Sequence, residues 1–284
     1  MMNIAAIIVL FKHDNAILEF SLSKIEKSVN KIFIINNFKD FSLSKTITDN
    51  EKINVTVMPS NLGISAGYNI GLKKAIEGGF SHAFLLDQDS IASEELLPSI
   101  IPCMPSNAAS MSSLYEEYND YKTIQFKKVS RKNIVQPVEF NIGSGSVISL
   151  EILSNIGMFD EAFFMEHYDI EWCFRARQNG FHVYKFHSQL FFHKIGISRK
   201  VLLGKSINIH EPIRYYYKSW GLIRLIYNKN MPLSWKFKEL LKHIMKLIIH
   251  PILSNNFLTT FKYMIIGTYD GIRNVQRNSY KDNL

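Results

Sequence analysis

The sequence predicts an α/β fold in which helices flank a central, mostly parallel sheet, followed by a helical C-terminal region. Short apolar runs, such as Ile4–Phe11 and the four residues that follow Lys31 in Lys31–Ile35, are typical of strands buried on both faces. A helical pattern separates these two runs at the spacing of a βαβ unit. From residue 211 the chain becomes basic and aromatic with helical periodicity, which indicates a distinct C-terminal region.

The composition is that of an ordinary globular protein. The chain has 284 residues, of which 46% are hydrophobic and 20% charged, so it can bury a sizeable core and is not expected to be disordered. Cys103 and Cys173 form neither a disulfide framework nor a zinc-binding spacing, which favours a reducing, cytoplasmic compartment. We expect no signal peptide, and Ile4–Phe11 is too short to span a bilayer.

Positive charge is concentrated in the C-terminal third. From residue 195 onward there are 15 Lys and Arg against 4 Asp and Glu, a surplus of 11, whereas the whole chain carries +8 and the first 194 residues therefore −3. A basic region of this kind suits nucleic acid, an anionic membrane or a phosphorylated substrate. Because no zinc-finger spacing or RNA-binding aromatic motif is present, we expect no nucleic-acid partner.

The predicted elements alternate between strands and helices. Residues 1–90, predicted as a nucleotide-binding half, contain four strands and helices over Asn15–Asn30 and through Lys73–Ala75. The four strands are Ile4–Phe11, Lys31–Ile35, Ile53–Met58 and Ala83–Asp87. Residues 91–210 complete a first domain over 1–210, and 211–284 form the basic helical region. Elements predicted for 91–210 are helices over Ser93–Ile101 and from a cap at Asp169 to Asn179, strands Ala108–Leu114, Val147–Leu150, His182–Phe186 and Gln189–Phe192, and a surface excursion over Tyr115–Pro137.

Two carboxylates end the fourth strand. Open α/β sheets bind ligands beyond the carboxyl ends of their strands, where Asp87 and Asp89 would lie. Carboxylates there suit Mg or Mn, which in turn would hold a diphosphate, although Asp and Ser also favour simple polar turns. His193 also closes an apolar strand and could complete the metal shell, although a lone histidine is more often structural.

Three other segments each have a functional and a structural interpretation. The glycines of Asn61–Leu72, spaced by four, allow close approach either of a ligand or between helix and sheet. The small residues of Asn141–Ser146 leave room for a substrate or merely make a turn. Acids from Glu166 to Glu171 suit a helix N-terminus, but with Trp172 beside them they also suggest a site for a sugar. Similarly, Leu240–Ile249 is either a basic amphipathic membrane helix or a packed appendage.

These segments together resemble the inverting family 2 glycosyltransferases of the GT-A type, most of all bacterial rhamnosyltransferases of O-antigen or capsule synthesis. The motifs that carry the resemblance are Asn61-Leu62-Gly63 with Gly67, Asn69 and Gly71, then Leu86-Asp87-Gln88-Asp89-Ser90, and Asp169-Ile170-Glu171-Trp172 with Arg175. The resemblance extends from Ile4 to about Gly196, and more loosely to Asp270-Gly271. It implies the nucleotide-diphospho-sugar transferase fold, with a Rossmann-like sheet. It also implies that 1–210 is the catalytic domain, with 1–90 as its nucleotide-sugar-binding half and 91–210 as its acceptor-binding half.

The resemblance also implies residue roles. Asp169 is expected to be the catalytic base, and Asp87, Asp89 and His193 the ligands of Mn or Mg. Expected donor-binding residues are Phe11, Asn36, Asn61, Gly67, Asn69, Asp87 and Gln88, and expected acceptor-binding residues are Ser144, Gly145, Glu171 and Trp172. The chain departs from the family pattern at Asn36, where Asp is commoner, and at Lys218-Ser219, where Arg-Asn is expected.

The implied activity is transfer of L-rhamnose from dTDP-L-rhamnose to a lipid-linked saccharide. The enzyme would be cytoplasmic and peripheral on the inner face of an anionic membrane, with a homo-oligomer left open. One alternative is a related transferase that uses UDP-galactofuranose, UDP-glucose or UDP-galactose. The other is a non-catalytic scaffold that binds the membrane through its basic end.

Overall fold

The structure is a computed structural model that describes residues 3–38, 42–126, 134–194, 196, 198–202 and 204–277. The chain divides into two compact units. The first unit comprises Met1–Glu161 and Tyr168–Lys194, and the second comprises Ala162–His167 and Ile195–Leu284. Residues 278–284 of the predicted C-terminal region and residues 127–133 of the predicted excursion lie outside the described part.

A single sheet forms the centre of the first unit, and nine strands belong to it within the described residues. The strands are β1 (Ile4–Leu10), β2 (Lys31–Asn36), β3 (Ile53–Val57), β4 (His82–Asp87), β5 (Ile91–Ala92), β6 (Ala108–Glu116), β7 (Val135–Val138), β8 (Ser146–Ser149) and β9 (His182–Phe192). Their spatial order is β3-β2-β1-β4-β8-β6-β9-β5, with β7 also paired to β9. The pairs among β1 to β4 and the β6–β9 pair are parallel, whereas β8 is antiparallel to both β4 and β6. The predicted α/β class is therefore confirmed.

Helices cover the sheet of the first unit. They are α1 (Asn15–Ile25), α2 (Lys45–Thr48), α3 (Ile64–Glu77), α4 (Leu96–Ile100), α5 (Leu150–Ile156) and α6 (Tyr168–Gln178). The first is shorter than predicted because its last turn tightens into a 3₁₀ helix over Glu26–Ser28. Its N-terminus is capped by Asp14, whose carboxylate accepts the N–H of Ala16 at 2.8 Å. The short α2, β5 and α5 were not predicted from the sequence.

Close packing of α3 on β1 explains two of the glycines in the glycine-rich segment. A Cβ at Gly67 would lie 2.7 Å from a methyl group of Val9, and one at Gly71 would collide with Ile7. Both valine and isoleucine belong to the fully buried strand β1. The structural interpretation of these glycines, close approach between helix and sheet, therefore holds at both positions.

The second half of the sheet differs from the prediction in two places. The predicted strands His182–Phe186 and Gln189–Phe192 form one continuous strand, β9, whose pairing with β6 shifts register between Ser113 and Tyr115. The predicted excursion over Tyr115–Pro137 contains a 3₁₀ turn at Tyr121–Thr123 and contributes β7 to the sheet.

The second unit is mainly helical, as predicted, and begins with a hairpin that was not predicted. Its elements are the antiparallel strands β10 (Ser198–Leu202) and β11 (Lys205–Ile209) and the helices α7 (Pro212–Tyr227), α8 (Leu233–Leu253) and α9 (Phe257–Arg273). Helices α7 and α9 pack closely, since Gly267 lies against the backbone of Tyr216. The buried carboxylate of Asp270 accepts the Tyr216 hydroxyl at 3.2 Å and Arg277 Nε at 2.6 Å. Of the helices that the structure describes, none combines the length and apolarity of a membrane span.

Candidate active site

Two acids and an imidazole converge beyond the carboxyl end of β4. One ligand atom from each of Asp87, Asp89 and His193 lies within 4.8 Å of the others. His193 Nε2 is 3.9 Å from Asp87 Oδ2, and His193 Nδ1 is 3.7 Å from Asp89 Oδ1. All three side chains are half-buried and reachable from solvent. The three residues predicted as metal ligands therefore lie together, although His193 is 104 residues from Asp89 along the chain.

This cluster fits a hard divalent ion in its donor chemistry. Carboxylate oxygens are the ligands that Mg and Mn prefer, and a neutral imidazole is compatible with Mn. Ligand atoms that already lie within 4.8 Å of one another need little rearrangement to surround one ion. Asp87, Asp89 and His193 are thus the residues that would hold the predicted metal.

Hydrogen bonds from neighbouring side chains fix the orientation of the cluster. The hydroxyl of Tyr68 donates to Asp87 Oδ1 at 2.8 Å, and the hydroxyl of Ser90 lies 2.9 Å from His193 Nδ1. Burial, together with the charge of Asp87, raises the pKa of Tyr68 well above its usual value, so this hydroxyl remains a donor. With Nδ1 facing Ser90, His193 Nε2 faces the Asp87 carboxylate.

The small-residue turn before β8 connects the cluster to the predicted base. Ser144 Oγ accepts the backbone N–H of Asp87 at 2.8 Å and lies 2.8 Å from Ser90 Oγ. The adjacent residue, Gly143, donates its N–H to Asp169 Oδ2 at 3.0 Å. Ser144 is buried, so the structure gives it a supporting position behind the cluster. Its predicted contact with the acceptor requires an exposed hydroxyl that this structure does not provide.

Gly145 continues the same turn and brings the backbone close to an aromatic ring. Its φ of +79° lies in the left-handed region, and a Cβ there would lie 2.6 Å from the Phe191 ring. The same ring stacks on His193 with centroids 6.2 Å apart. The glycine therefore allows the β8 turn to pack beside the histidine of the cluster.

Asp169 lies in the first turn of α6, which begins at Tyr168, so it is one residue inside the helix rather than the predicted cap. Its carboxylate accepts two backbone N–H groups, from Gly143 at 3.0 Å and from Ile170 at 2.8 Å. These bonds hold the carboxylate in one orientation. An oriented carboxylate is a suitable acceptor for a proton from a substrate hydroxyl.

Aromatic side chains lie at the carboxyl ends of β1 and β2, where the sequence predicts donor binding. The rings of Phe11 and Phe38 pack edge to face with centroids 5.4 Å apart, and the ammonium of Lys12 lies 5.1 Å from the Phe11 centroid. Gln88 Oε1 accepts the Phe11 N–H at 2.7 Å, and this bond joins the end of β1 to the end of β4, which carries Asp87. Asn36 is buried, and its side-chain oxygen accepts the N–H of Phe38 at 3.1 Å. Flat rings beside a cation suit a nucleobase with its phosphates.

Asn61 and Asn69, both predicted to bind the donor, make internal hydrogen bonds. Asn61 Oδ1 accepts the Gly63 N–H at 3.0 Å in the turn that starts α3. Asn69 Oδ1 accepts the Phe159 N–H at 3.0 Å, while its amide donates to Phe159 O and to Glu161 Oε1, each at 2.9 Å. Asn69 is buried and joins α3 to the loop that follows α5. This bonding leaves its side chain no exposed group for a donor.

Two predicted acceptor-binding residues lie in the core instead of on a surface. Trp172 is 1% exposed and donates its indole N–H to Gly157 O at 2.9 Å. Glu171 is 4% exposed, and its carboxylate is paired with the Arg175 guanidinium at 2.9 Å. Arg175 in turn donates to the carbonyls of Ile156 and Met158. Neither predicted side chain offers an exposed face to a sugar, because this part of α6 anchors the loop after α5.

Three residues of the site were not assigned from the sequence. Tyr68 and Ser90 lie inside motifs that were recognised, next to Gly67 and Asp89, but a hydroxyl in a motif does not reveal its partner. Tyr118, which donates to Asp89 O at 2.7 Å, comes from the unassigned excursion. Their common signal is a hydroxyl adjacent to, or packed beneath, a strand end that carries a carboxylate.

Comparisons with known proteins agree with this architecture. The chain is 25% identical over 285 residues to the dTDP-rhamnosyl transferase RfbF of Shigella flexneri, covering 96% of each protein. The crystal structure of S. aureus TarS 1-349 in complex with UDP-GlcNAc is similar with a TM-score of 0.59 and 13% identity, over 97% of this chain and 82% of that one. The crystal structure of GalNAc-T7 with UDP, GalNAc and Mn2+ is similar with a TM-score of 0.54 and 13% identity, over 95% of this chain and 57% of that one. No protein-family model matches the chain.

The solved structures show the fold, and the full-length sequence relative supports the assignment as a glycosyltransferase. A match along nearly the whole of both chains leaves no large part of either unaligned. The chain is therefore a glycosyltransferase with the GT-A fold.

Proposed function

We propose that this glycosyltransferase moves L-rhamnose from dTDP-L-rhamnose to a hydroxyl group of a lipid-linked saccharide, with inversion at the anomeric carbon. The observation that carries the proposal is the convergence of Asp87, Asp89 and His193 at the end of β4. A cluster of this kind suits the diphosphate of a nucleotide-sugar donor. The full-length similarity to a dTDP-rhamnosyl transferase supports the choice of donor.

In the proposed reaction Asp169 acts as the general base. Its carboxylate takes the proton from the acceptor hydroxyl while that oxygen forms a bond to the anomeric carbon. The bond between the anomeric carbon and the diphosphate oxygen breaks, and the nucleoside diphosphate leaves from the opposite face. Single displacement of this kind needs one base and no covalent intermediate. The N–H groups of Gly143 and Ile170 hold the carboxylate in place for this transfer.

A divalent metal is part of the proposal, and the Mn2+ in the GalNAc-T7 structure supports it by analogy of fold. When bound, such an ion supplies positive charge against the negative charge that develops on the leaving diphosphate. Tyr68 and Ser90 keep the carboxylate of Asp87 and the ring of His193 oriented for this task. The Phe11–Phe38 pair and Lys12 are proposed to receive the thymine base and the phosphates.

A UDP-sugar is the second candidate donor. The specific observation in its favour is that the TarS structure of the same fold contains UDP-GlcNAc. A pyrimidine of either kind has the flat face that the Phe11–Phe38 pair suits, so these contacts do not by themselves choose between them.

The deciding experiment is a donor panel with the purified chain. Binding is measured calorimetrically for dTDP-rhamnose, UDP-glucose, UDP-galactose, UDP-galactofuranose and UDP-GlcNAc, each with Mn and with EDTA. We expect Mn-dependent binding that is tightest for dTDP-rhamnose. Because a ligand bound only by the native state stabilises that state, the tightest donor should also raise the melting temperature most. Tighter binding of a UDP-sugar would replace the proposed donor, and equal binding with EDTA would remove the metal from the proposal. A scaffold would bind none of them.

The acceptor and the place of action belong to the same proposal. A lipid-linked acceptor requires the enzyme to work at a membrane surface, and the second unit has both positive charge and exposed apolar side chains. We infer peripheral attachment to an anionic membrane through α8 and α9. Exposed apolar residues on one stripe of α8 are Leu233, Phe237, Leu240, Leu241, Ile244, Met245, Ile248 and Ile252.

A further inference from the structure

A cavity lies among the helices of the second unit, and its lining includes none of the residues assigned above to the donor, the acceptor, the metal or the base. It has a volume of about 210 Å³ and is lined by both charged and polar side chains. Helix α7 contributes Tyr215, Lys218 and Ser219, and α8 contributes Glu239, His243, Lys246 and His250. A water molecule takes about 30 Å³ in the liquid, so the cavity has room for a tetrahedral oxyanion.

The charges around this cavity do not cancel. The carboxylate of Glu166 is bound by Arg214, and that of Glu239 by Lys242 at 2.5 Å, so both acids are already compensated. Lys218 Nζ lies 2.7 Å from His210 Nε2, which can only act as a neutral acceptor towards it. Together with Lys246, which also lines the cavity, Lys218 leaves a surplus of positive charge.

The positive charge around the cavity lowers the pKa values of two histidines that line it, His243 and His250. Burial and the charges of Lys218 and Lys246 lower the pKa of His250 to about 4, and burial with Lys246 lowers that of His243 to about 4. Both imidazoles are therefore neutral at neutral pH. Burial alone would raise the pKa of Glu166, but Arg214 and Lys218 lower it to about 2, so this acid stays ionised beside its arginine.

Hydrogen-bonding groups face the cavity without a partner. Ser219 is 1% exposed, and its hydroxyl has no partner among the described residues. His250 Nδ1 is likewise unsatisfied there. The Tyr215 hydroxyl accepts the backbone N–H of His210 at 3.3 Å, which leaves its own proton available. Unsatisfied buried polar groups are costly, and each is explained if a ligand supplies the missing bond.

We propose that this cavity binds a phosphate-type oxyanion, held by Lys218, Lys246 and the hydroxyls of Ser219 and Tyr215. The surplus of positive charge disfavours a metal cation and favours an anion, and several converging donors suit a group with several acceptor oxygens. The anion has two possible sources, a free phosphate or the phosphate of a lipid headgroup. The second source is compatible with α8, since the helix that lines the cavity also exposes an apolar stripe. The proposal does not depend on the donor or the metal assigned above.

The test is calorimetric titration of the full chain with inorganic phosphate and with pyrophosphate. EDTA is present throughout, so that the metal cluster holds no phosphate through an ion, and Asp89→Asn serves as a control that should bind normally. We expect saturable binding by the wild type and weakening of about tenfold in Lys246→Gln and in Lys218→Met, because each removes a charge-assisted hydrogen bond. Lys238→Gln, which removes an exposed lysine of α8 outside the cavity, should bind as the wild type does.

Lys246→Gln keeps the test valid if Lys218→Met fails to fold, since Lys246 is exposed. Absence of saturable phosphate and pyrophosphate binding in the wild type would overturn the proposal. So would equal binding by wild type, Lys246→Gln and Ser219→Ala. A last titration uses dihexanoyl phosphatidic acid, with dihexanoyl phosphatidylcholine as control. Tighter binding of phosphatidic acid than of inorganic phosphate assigns a lipid headgroup, and equal binding assigns a free phosphate.

Discussion

Ser144 Oγ accepts the backbone N–H of Asp87 at 2.8 Å, and this bond couples the turn before β8 to the end of β4. The residue before it, Gly143, donates to Asp169, so two consecutive residues link the proposed base to the proposed metal ligand. Consecutive Cα atoms are about 3.8 Å apart, which leaves little freedom in the spacing of the two carboxylates. Catalytic geometry therefore depends on a residue that need not touch a substrate.

The substitution Ser144→Ala should lower both activity and stability. It leaves the Asp87 N–H without its acceptor and removes the link to Ser90, which should cost about 1–3 kcal/mol in the free energy of unfolding. We expect kcat to fall by about tenfold or more, because small displacements of catalytic groups are costly. Urea unfolding and initial rates measure the two effects. Ser154→Ala is the matched control, since that hydroxyl only bonds Leu150 O in its own helix at 2.9 Å. Equal behaviour of the two variants would contradict the coupling.

Asp89→Asn should weaken the metal-dependent binding of the nucleotide. Loss of one carboxylate from a set of three ligands removes charge and a hard oxygen donor, so the Mn-dependent affinity for dTDP should fall by about 100-fold. Calorimetry with and without Mn measures the effect. The control is Asp49→Asn, an exposed acid outside the site. Wild-type Mn dependence in Asp89→Asn would exclude Asp89 as a ligand.

Asp169→Asn should retain donor binding while losing turnover. The amide oxygen of asparagine can still accept the Gly143 N–H, so the turn keeps its position, but the side chain can no longer take a proton. We expect kcat to fall by about 10²–10⁴-fold. Donor affinity should stay close to that of the wild type. A variant with near wild-type turnover would remove Asp169 from the role of base.

Asn69→Ala should destabilise the protein without weakening donor binding, in contrast to the role implied by sequence resemblance. The side chain makes three hydrogen bonds to the loop after α5, and their loss should cost about 3 kcal/mol. Denaturant unfolding and donor titration separate the two roles. A fall in donor affinity with unchanged stability would instead support contact between Asn69 and the donor.

The sequence was sufficient to predict where the cluster lies but not what surrounds each side chain. Asp87, Asp89 and His193 could be predicted together because each follows an apolar run, and buried strands that end at one edge bring their ends together. The burial of Trp172 could not be predicted, since an indole at a helix start suits a core as well as a sugar. The role of Tyr68 could not be predicted either, because the hydrogen bond from its hydroxyl to Asp87 depends on how α3 crosses β4.

The topology shows the same limit. Apolar runs predicted β1, β2 and β4 within a residue or two, because a strand buried on both faces has few polar positions. The antiparallel insertion of β8 between β4 and β6 left no trace in local pattern, since pairing partners far apart in sequence decide it. The hairpin of β10 and β11 is short and was obscured by its charged residues.

The helical unit should lose stability as the pH falls from 6.5 towards 4. Burial lowers the pKa of His243 to about 4 and that of His210 to about 3, both from an ordinary value of 6.5. In this window the unfolded state binds more protons than the folded state, so the free energy of unfolding falls by about 1.4 kcal/mol per pH unit for each such histidine. Glu166, whose pKa is lowered to about 2, adds to the loss only below about pH 4.5.

Urea unfolding at pH 7.5 and pH 5.0 measures this loss. A Trp172→Phe background restricts tryptophan fluorescence to the second unit, because the chain has three tryptophans and the other two lie there. His243→Gln should have a shallower pH dependence than this background. An identical dependence in both proteins would show that His243 is not a source of the acid sensitivity.

The apolar stripe of α8 should bind the chain to anionic vesicles. Phe237 is 67% exposed and Ile248 63%, and both lie on the stripe defined above. Four lysines and one glutamate on α8 give the helix a positive charge that suits anionic lipid better than a second copy of itself. We expect flotation with phosphatidylglycerol vesicles at low salt, reduced at high salt.

Phe237→Ser with Ile248→Ser should weaken binding by about tenfold or more, because each removes a large apolar contact. Val57→Ser, which alters an apolar residue of β3 in the first unit that is 55% exposed, is the control and should float as the wild type does. Absence of flotation by the wild type at low salt, or equal flotation by the double variant, would show that this stripe does not contact the membrane.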